Sequence, residues 1–190
     1  MPLNGLFFRS DKFFLLTYKK DVVLPLMKKV ILSLGSNMLK RRLLIEKAAV
    51  ALSQQVGSVL QASSIRESES WGFQSSPFLN QVLEIQTALS PEEILDITQR
   101  IEISLGRTRK SERDDQGRAV YHDRPIDIDL LWYEGEYREG ERLTLPHPSI
   151  PQRKFLLVLL AELYGDTILE PFGRSFQKML EDLSTKENIE

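Results

Sequence analysis

Two aspartates occupy alternate positions in a short apolar segment, R-P-I-D-I-D-L-L at 124–131. Side chains alternate between the two faces of a β-strand, so Asp127 and Asp129 lie on one face and their aliphatic neighbours face a core. The two Cβ atoms are then about 6.5–7 Å apart, which lets both carboxylates converge on shared metal. Magnesium takes oxygen ligands and commonly keeps water and phosphate oxygens, so two aspartates are sufficient protein ligation. A solvated strand face is the alternative, but aspartate is a poor strand former.

Basic side chains are concentrated around these aspartates. They are Arg107, Arg109, Lys110, Arg113, Arg118 and Arg124, followed by Arg142 and His147. Arginine suits phosphate because its planar guanidinium donates two hydrogen bonds at once. A metal ion together with several arginines is typical of sites that catalyse phosphoryl transfer. Interspersed acids favour an ordinary solvated loop for the centre of this segment. We therefore assign function to Arg107, Arg109 and Arg124, and leave the remaining loop cations open.

Two other features are weaker signals. The turn Gly35-Ser36-Asn37 lacks the G-x-x-x-x-G-K pattern of a P-loop, and a helix N-cap at Asn37 explains it. His147 lies between two prolines, which fix the backbone around it. A lone histidine is more often structural than catalytic, although beside a phosphate site it can donate a hydrogen bond to a phosphate oxygen.

Hydrophobic patterning predicts the elements that position these residues. Strands are predicted at 30–34, 59–65, 78–87 and 126–133. One helix is predicted from Leu39 to Gly57, and a second from the Ser90-Pro91 start to Gly106. Polar loops are predicted at 66–77 and 110–124. Further along, the patterns predict a turn at 134–135 into a hairpin arm, a helix at 151–163, an extended piece at 166–172 and a helix at 175–183.

This order of elements is the split βαβ, or ferredoxin-like, βαββαβ pattern. It predicts an α+β fold with a four-stranded antiparallel sheet, two helices on one face and C-terminal additions. The other face is expected to hold a ligand site covered by loops.

Composition narrows the classes of protein. The 190 residues suffice for one domain, and a net charge of −2 argues against broad nucleic-acid binding. The absence of cysteine excludes disulfides, thiolate catalysis and zinc–thiolate sites. No apolar run reaches the ~18 residues that a membrane span needs. We therefore expect a cytoplasmic monomer that acts on small molecules.

The N-terminal residues 1–26 contain apolar patches that charged residues interrupt, without the continuous core of a signal peptide. Met27 is followed directly by a predicted strand. Residues 1–26 are thus interpreted as an extension, a wrongly assigned start or sequence added for expression. The functional domain is predicted at 27–183, with a frayed tail at 184–190.

Several ordered motifs together resemble one family, the 6-hydroxymethyl-7,8-dihydropterin pyrophosphokinases. The motifs are L-G-S-N at 34–37, P-F-L-N at 77–80, T-Q-R-I-E-I-S-L-G-R-T-R-K at 98–110, R-P-I-D-I-D-L-L at 124–131, and R-L-T-L-P-H-P at 142–148, with Arg153 and Phe155 beyond. The resemblance covers about residues 28 to 165. It implies transfer of diphosphate from ATP to the pterin hydroxymethyl group, with release of AMP, in folate biosynthesis.

The resemblance also implies a role for individual residues. Asp127 and Asp129 would hold two magnesium ions and act in catalysis with Arg107 and Arg124. The implied ATP contacts are Glu102, Arg107, Arg109, Arg124, Arg142, His147 and Arg153. The implied pterin contacts are Phe78 and Phe155 on the ring faces, Asn80 on the ring edge, and the backbone around Ser68 and Trp71.

Two departures and two rival interpretations accompany the resemblance. The loop at 110–124 lacks the tryptophan that some members carry, and Pro148 stands where some have tyrosine. One rival is another two-metal nucleotidyl or phosphoryl transferase, but its Gly-Ser turn and D-x-D strand usually lie close together, whereas here about ninety residues separate them. The other is a ferredoxin-like RNA-binding module, which needs exposed sheet aromatics and a basic surface.

Overall fold

A computed structural model describes residues 26–38, 40–69, 75–108, 112–113, 119–120 and 123–187. Its strands are β1 (Lys28–Ser36), β2 (Ser58–Ala62), β3 (Arg66–Ser68), β4 (Phe78–Thr87), β5 (Glu112–Arg113), β6 (Ala119–Val120) and β7 (Asp127–Tyr133). Its helices are α1 (Arg41–Gln55), α2 (Pro91–Ser104), a 3₁₀ turn (Ile150–Gln152), α3 (Lys154–Tyr164) and α4 (Phe176–Glu187).

The main sheet is antiparallel in the order β2-β4-β1-β7, with β3 also paired to β4. This is the predicted ferredoxin-like arrangement, in which β1 and β4 form the centre. The predicted strand at 59–65 ends early, at Ala62 of β2, and residues 66–68, which were predicted as loop, form the separate strand β3. Between the two strands, Ser63 N donates to the Val82 carbonyl and the Ser63 hydroxyl accepts a hydrogen bond from Val82 N. The predicted loop at 66–77 therefore begins only after β3.

Helices α1 and α2 cover one face of the sheet. Val30, Leu32 and Leu34 of β1 point toward them into a continuous apolar core. The predicted apolar face of α1 is partly wrong, because Leu43 and Val50 are exposed and the helix is held instead through Ile45, Ala48 and Leu52.

The two helices begin differently. α2 has a complete capping box, in which Ser90 and Glu93 each accept a hydrogen bond from the other's backbone N–H. α1 begins after Lys40, which has a left-handed φ of 69° and no side-chain cap. The prediction that Asn37 caps this helix is wrong, because its side chain bonds to the loops described below.

Helices α3 and α4, which are the predicted C-terminal additions, pack on half of the opposite face. Ile31, Val82 and Leu131 turn their side chains to this second core. At the same end, buried Glu84 accepts a 2.5 Å hydrogen bond from the Tyr164 hydroxyl of α3. Only the other half of the face stays open to a ligand.

Three smaller expectations also change. The predicted loop at 110–124 contains a short ladder between β5 and β6, and residues 166–172 form turns rather than an extended piece. α4 continues through Glu187, beyond the predicted helix end and into the predicted tail. The hairpin arm is present as a bridge between Arg138 and Leu145. In the described part of the chain, no helix combines the length and apolarity needed to cross a membrane.

Candidate active site

Two rows of side chains cross the open half of the sheet, each running from β4 through β1 to β7. Asn80, Gly35 and Asp127 form the first row, and Val82, Ser33 and Asp129 form the second. Residues two apart on a strand share a face, so both rows belong to one floor. The predicted same-face placement of Asp127 and Asp129 is present, with Ile128 and Leu130 in the core behind them.

The floor is the base of a cleft that is open to solvent. Its lining residues are Ser33, Gly35, Ser68, Glu69, Phe78, Asn80, Arg124, Asp127, Asp129, Arg153 and Phe155. Arg153 and Phe155 come from the start of α3, so the C-terminal helices contribute to the site as well as to the core.

One half of the cleft is charged and is organised around Asp127. Nη1 of Arg107 donates to Oδ1 of Asp127 at 2.8 Å, and Nη1 of Arg124 lies 2.8 Å from the other oxygen, Oδ2. Arg107 also donates to Oε1 of Glu102 at 2.5 Å, and the same oxygen accepts the Ile128 N–H at 2.8 Å. The end of α2 is thereby tied to β7, and both arginines are held beside the carboxylate.

Asn37 positions Arg124 and is a residue that the sequence patterns did not predict in this role. Its Oδ1 accepts the Arg124 N–H at 2.8 Å, and its Nδ2 donates to Asp123 Oδ1 at 2.7 Å and Ser75 Oγ at 2.9 Å. The Ser75 hydroxyl donates to the same Asp123 oxygen. One buried amide therefore joins the end of β1 to the segments that precede β4 and β7.

Two carboxyl groups of this half have strongly raised pKa values. Burial, followed by repulsion from Asp127, raises the pKa of Asp129 to about 7, although nearby arginines, Arg153 first, oppose the shift. Burial and Asp127 likewise raise the pKa of Glu102 to about 7, against the opposing effect of Arg107. Burial therefore disfavours the charged form of both carboxyl groups, and a cation bound beside them would favour it.

His147 lies at the edge of this half, after the arm that follows β7. Its N–H donates to the Leu131 carbonyl at 2.8 Å, and its ring Nδ1 accepts the Ser149 N–H at 3.1 Å. Burial, followed by the charge of Arg153, lowers the pKa of His147 to about 4. The imidazole is then neutral near pH 7, and because Nδ1 accepts a hydrogen bond, its proton lies on Nε2, where it can be donated.

The other half of the cleft carries aromatic and amide groups. Phe78 and Phe155 both line it. Asn80 Nδ2 donates to Ser68 Oγ at 2.9 Å. Oδ1 of the same amide has no hydrogen-bond donor among the described residues, so it can accept a hydrogen bond from a ligand. Oδ1 faces Gly35, since a Cβ added there would lie 3.3 Å from it. A glycine at this position keeps the space beside the amide open.

One predicted contact lies elsewhere. Arg142 forms an ion pair with Asp96 of α2 and does not line the cleft. The predictions for Arg109 and Trp71 fall outside the described residues. Ser33, Gly35 and Glu69 also line the cleft but were not predicted as contacts. Alternation along β1 could have identified Ser33, because it shares a face with Gly35 and interrupts an otherwise apolar strand.

The residues present suit a magnesium site of the kind that relies on substrate oxygens. No group of three or more histidine, cysteine, aspartate or glutamate side chains arranged for a metal is found within the described ranges. Two carboxylates share the floor, however, and burial followed by repulsion from Asp127 raises the pKa of Asp129. Magnesium commonly completes its shell with water and phosphate, so Asp127 and Asp129 are a sufficient pair.

Comparison with known proteins identifies one family. A family model described as 7,8-dihydro-6-hydroxymethylpterin-pyrophosphokinase (HPPK) matches residues 31–165. A Porphyromonas gingivalis protein named 2-amino-4-hydroxy-6-hydroxymethyldihydropteridine pyrophosphokinase is 45% identical over 135 residues, covering 70% of this chain and 88% of its own length. A Bacillus subtilis protein of the same name is 37% identical over 134 residues, covering 70% and 75%.

Solved structures support the fold. A crystal structure of Plasmodium falciparum HPPK-DHPS has a TM-score of 0.65 and covers 87% of this chain at 13% identity. This chain spans 47% of that longer chain. At so low an identity the likeness supports the fold alone, and the predicted ferredoxin-like arrangement is confirmed.

Proposed function

The chain belongs to the 7,8-dihydro-6-hydroxymethylpterin-pyrophosphokinase family, and from this premise we propose that the cleft is where the family's reaction takes place. The enzyme transfers a diphosphoryl group from ATP to the hydroxymethyl oxygen of 6-hydroxymethyl-7,8-dihydropterin, in folate biosynthesis. That oxygen forms a bond to the β-phosphorus and loses its proton. The bond between the β-phosphorus and the oxygen it shares with the α-phosphate breaks, and AMP leaves.

The observation that carries this assignment is the division of one floor into two halves. Asn80 and Phe78 lie on β4, and Asp127 and Asp129 lie on β7, with only β1 between them. Neighbouring strands are about 4.8 Å apart, so the two sets are separated by about 10 Å across the sheet. A bicyclic pterin bound in the first half can reach the second half with its one-carbon arm.

The pterin is held by the aromatic half. Phe78 and Phe155 offer ring faces to a flat heterocycle, and the apolar contact is strengthened by offset stacking. Oδ1 of Asn80 accepts from an N–H of the pterin edge, while one N–H of Nδ2 is donated to Ser68. The backbone near Ser68 completes recognition of this edge. The arrangement selects a ring with a donor and acceptor edge over a purely apolar one.

The triphosphate is held by the charged half. Arg107 and Arg124 present fixed guanidinium groups whose positions are set by Asp127 before any nucleotide arrives. Arg153 and the Nε2–H of His147 add donors to phosphate oxygens, and Arg109 and Arg142 are proposed as further ATP contacts. Preorganised donors of this kind stabilise charge that develops during transfer without reorganising at the moment of reaction. Glu102 contributes by orienting Arg107.

We further propose that Asp127 and Asp129 bind two magnesium ions when ATP is present. Bound magnesium would neutralise phosphate charge and lower the pKa of the acceptor hydroxyl. The chain has no cysteine, and nothing in the cleft recommends a covalent intermediate, so transfer occurs in a single step. We propose a monomer that acts on two small molecules in the cytoplasm, without nucleic acid.

Ligand titration tests the assignment. Isothermal titration with a pterin analogue is run with and without a non-hydrolysable ATP analogue and magnesium. The account predicts binding of both ligands to one protein at unit stoichiometry, with magnesium required for tight nucleotide binding. Nucleotide binding without any pterin binding would instead favour another two-metal nucleotidyl or phosphoryl transferase.

A further inference from the structure

A hydroxyl group lies on the cleft floor where the two halves meet. Ser33 lines the cleft and is 7% exposed. In the strand register it lies between Val82 of β4 and Asp129 of β7. Its hydroxyl makes no hydrogen bond to any other residue in the described part of the chain. A serine hydroxyl can donate one hydrogen bond and accept two, so the Ser33 hydroxyl can form hydrogen bonds with a ligand.

The neighbouring position on the same face has no side chain. A Cβ at Gly35 would lie 3.3 Å from Asn80 Oδ1 and 3.6 Å from Phe78 Cδ1, so the pterin half uses this space. Any group that extends from the pterin half toward Asp127 and Asp129 therefore passes over the bare backbone of Gly35. Ser33 is the β1 side chain that borders this path.

We propose that the Ser33 hydroxyl binds the hydroxymethyl oxygen of the pterin and orients it toward the phosphates. The inference rests on the proposed function, since it requires a pterin in the aromatic half. The serine oxygen accepts the hydrogen bond of the substrate hydroxyl, which turns a lone pair of the substrate oxygen toward the charged half. Ser33 thereby selects substrates that carry an alcohol on this arm.

Serine at position 36 supplies a matched comparison. Ser36 lies on the same strand but on the opposite face, is fully buried, and its Oγ has no hydrogen-bond partner among the described residues. Ser36→Ala makes the same chemical change as Ser33→Ala and does not touch the cleft. Any effect limited to the Ser33 variant therefore comes from the cleft floor.

The experiment compares two ligands that differ by one hydroxyl. Dissociation constants of 6-hydroxymethylpterin and 6-methylpterin are measured by isothermal titration, with a non-hydrolysable ATP analogue and magnesium present. The parent should prefer the hydroxymethyl ligand by about tenfold, the upper range for one neutral hydrogen bond. Ser33→Ala should reduce this preference to about twofold or less and lower kcat about tenfold. Ser36→Ala and the hydroxyl-retaining Ser33→Thr should keep the preference.

Three results would overturn the inference. Ser33→Ala could keep the full preference while the parent forms pterin diphosphate, which would refute the role of Ser33 alone. Equal loss of preference in Ser33→Ala and Ser36→Ala would show a general effect on the strand. A parent that forms no pterin diphosphate from ATP would refute the proposed function as well, and turnover of the parent separates this case from the other two.

Discussion

Arg107 and Asp127 are joined by a 2.8 Å salt bridge between Nη1 and Oδ1 in which both side chains are largely buried. Arg107 follows the C-terminal end of α2, and Asp127 is the first residue of β7. Their salt bridge therefore connects the helix layer to the sheet at the cleft. Because the guanidinium is already in place, binding of phosphate requires little reorganisation. This pair is the structural reason for assigning Arg107 to the transfer step.

We predict that Arg107→Ala lowers kcat by at least about 10²-fold, the usual loss when a group that meets developing charge is removed. Arg107→Lys should restore little, since a single ammonium cannot replace the planar fork that contacts Glu102 and Asp127. Steady-state kinetics measures both. Arg174→Ala, which removes an exposed partner of Asp182 on α4, is the control and should leave kcat unchanged. A change confined to pterin affinity would contradict the assigned role.

Asp127→Ala and Asp129→Ala should each abolish turnover while the fold is retained. The two side chains share one face of β7, and neither is needed for the apolar core behind the strand. Activity is measured at saturating ATP and magnesium, with circular dichroism to verify the fold. Asp182→Ala on α4 is the matched control. Activity near the parent level in either cleft variant would refute the metal assignment.

Asp129 should also make the metal-free protein less stable as the pH rises. Its folded pKa of about 7 lies above the ordinary value of 3.8, so the folded protein holds this proton more tightly than the unfolded chain does. Its stabilising contribution is complete below about pH 4 and is lost as the pH rises through about 7. Asp129→Asn removes the ionisable carboxyl group and therefore this loss of stability at high pH. Urea unfolding in EDTA should show the variant more stable than the parent at about pH 8, with the difference closing toward about pH 4. A difference independent of pH would contradict the raised pKa.

Deletion of residues 1–26 should leave activity intact. β1 begins at Lys28, and the preceding Leu26 and Met27 are exposed. The shortened protein is compared with the full chain by kcat, KM and thermal unfolding. Unchanged kinetics would support a functional domain that begins near Met27. Loss of folding on deletion would show that the segment packs against the domain.

The strands and helices that face a core were predictable because their patterns are regular. Apolar patterning along the chain predicted β1, β4 and β7, and the Ser90-Pro91 start predicted α2. The early end of β2 and the presence of β3 were not predicted, since the apolar pattern continues to Ile65 whereas the Ser63 hydroxyl bonds to Val82 N after β2 has ended. The packing of α3 and α4 on the second face also depended on tertiary contacts that periodicity does not encode.

The site residues were predictable where carboxylate side chains alternate along one strand. Asp127 and Asp129 follow from alternation on β7 alone, whereas the roles of Phe78, Asn80 and Phe155 required the family resemblance. The role of Asn37 could not be predicted, because an asparagine after a glycine-serine turn suits a helix cap equally well. Only the three-dimensional structure brings its amide to Asp123 and Arg124.

The most direct test of the account is the identity of the nucleotide product. ATP, magnesium and 6-hydroxymethyl-7,8-dihydropterin are incubated with the enzyme, and nucleotides and pterins are separated by chromatography over the time course. Attack at the β-phosphorus predicts AMP in equal amount with the pterin diphosphate, and neither product with Asp127→Ala. Stoichiometric ADP would show attack at the γ-phosphorus and would contradict diphosphoryl transfer, even if the pterin were the acceptor.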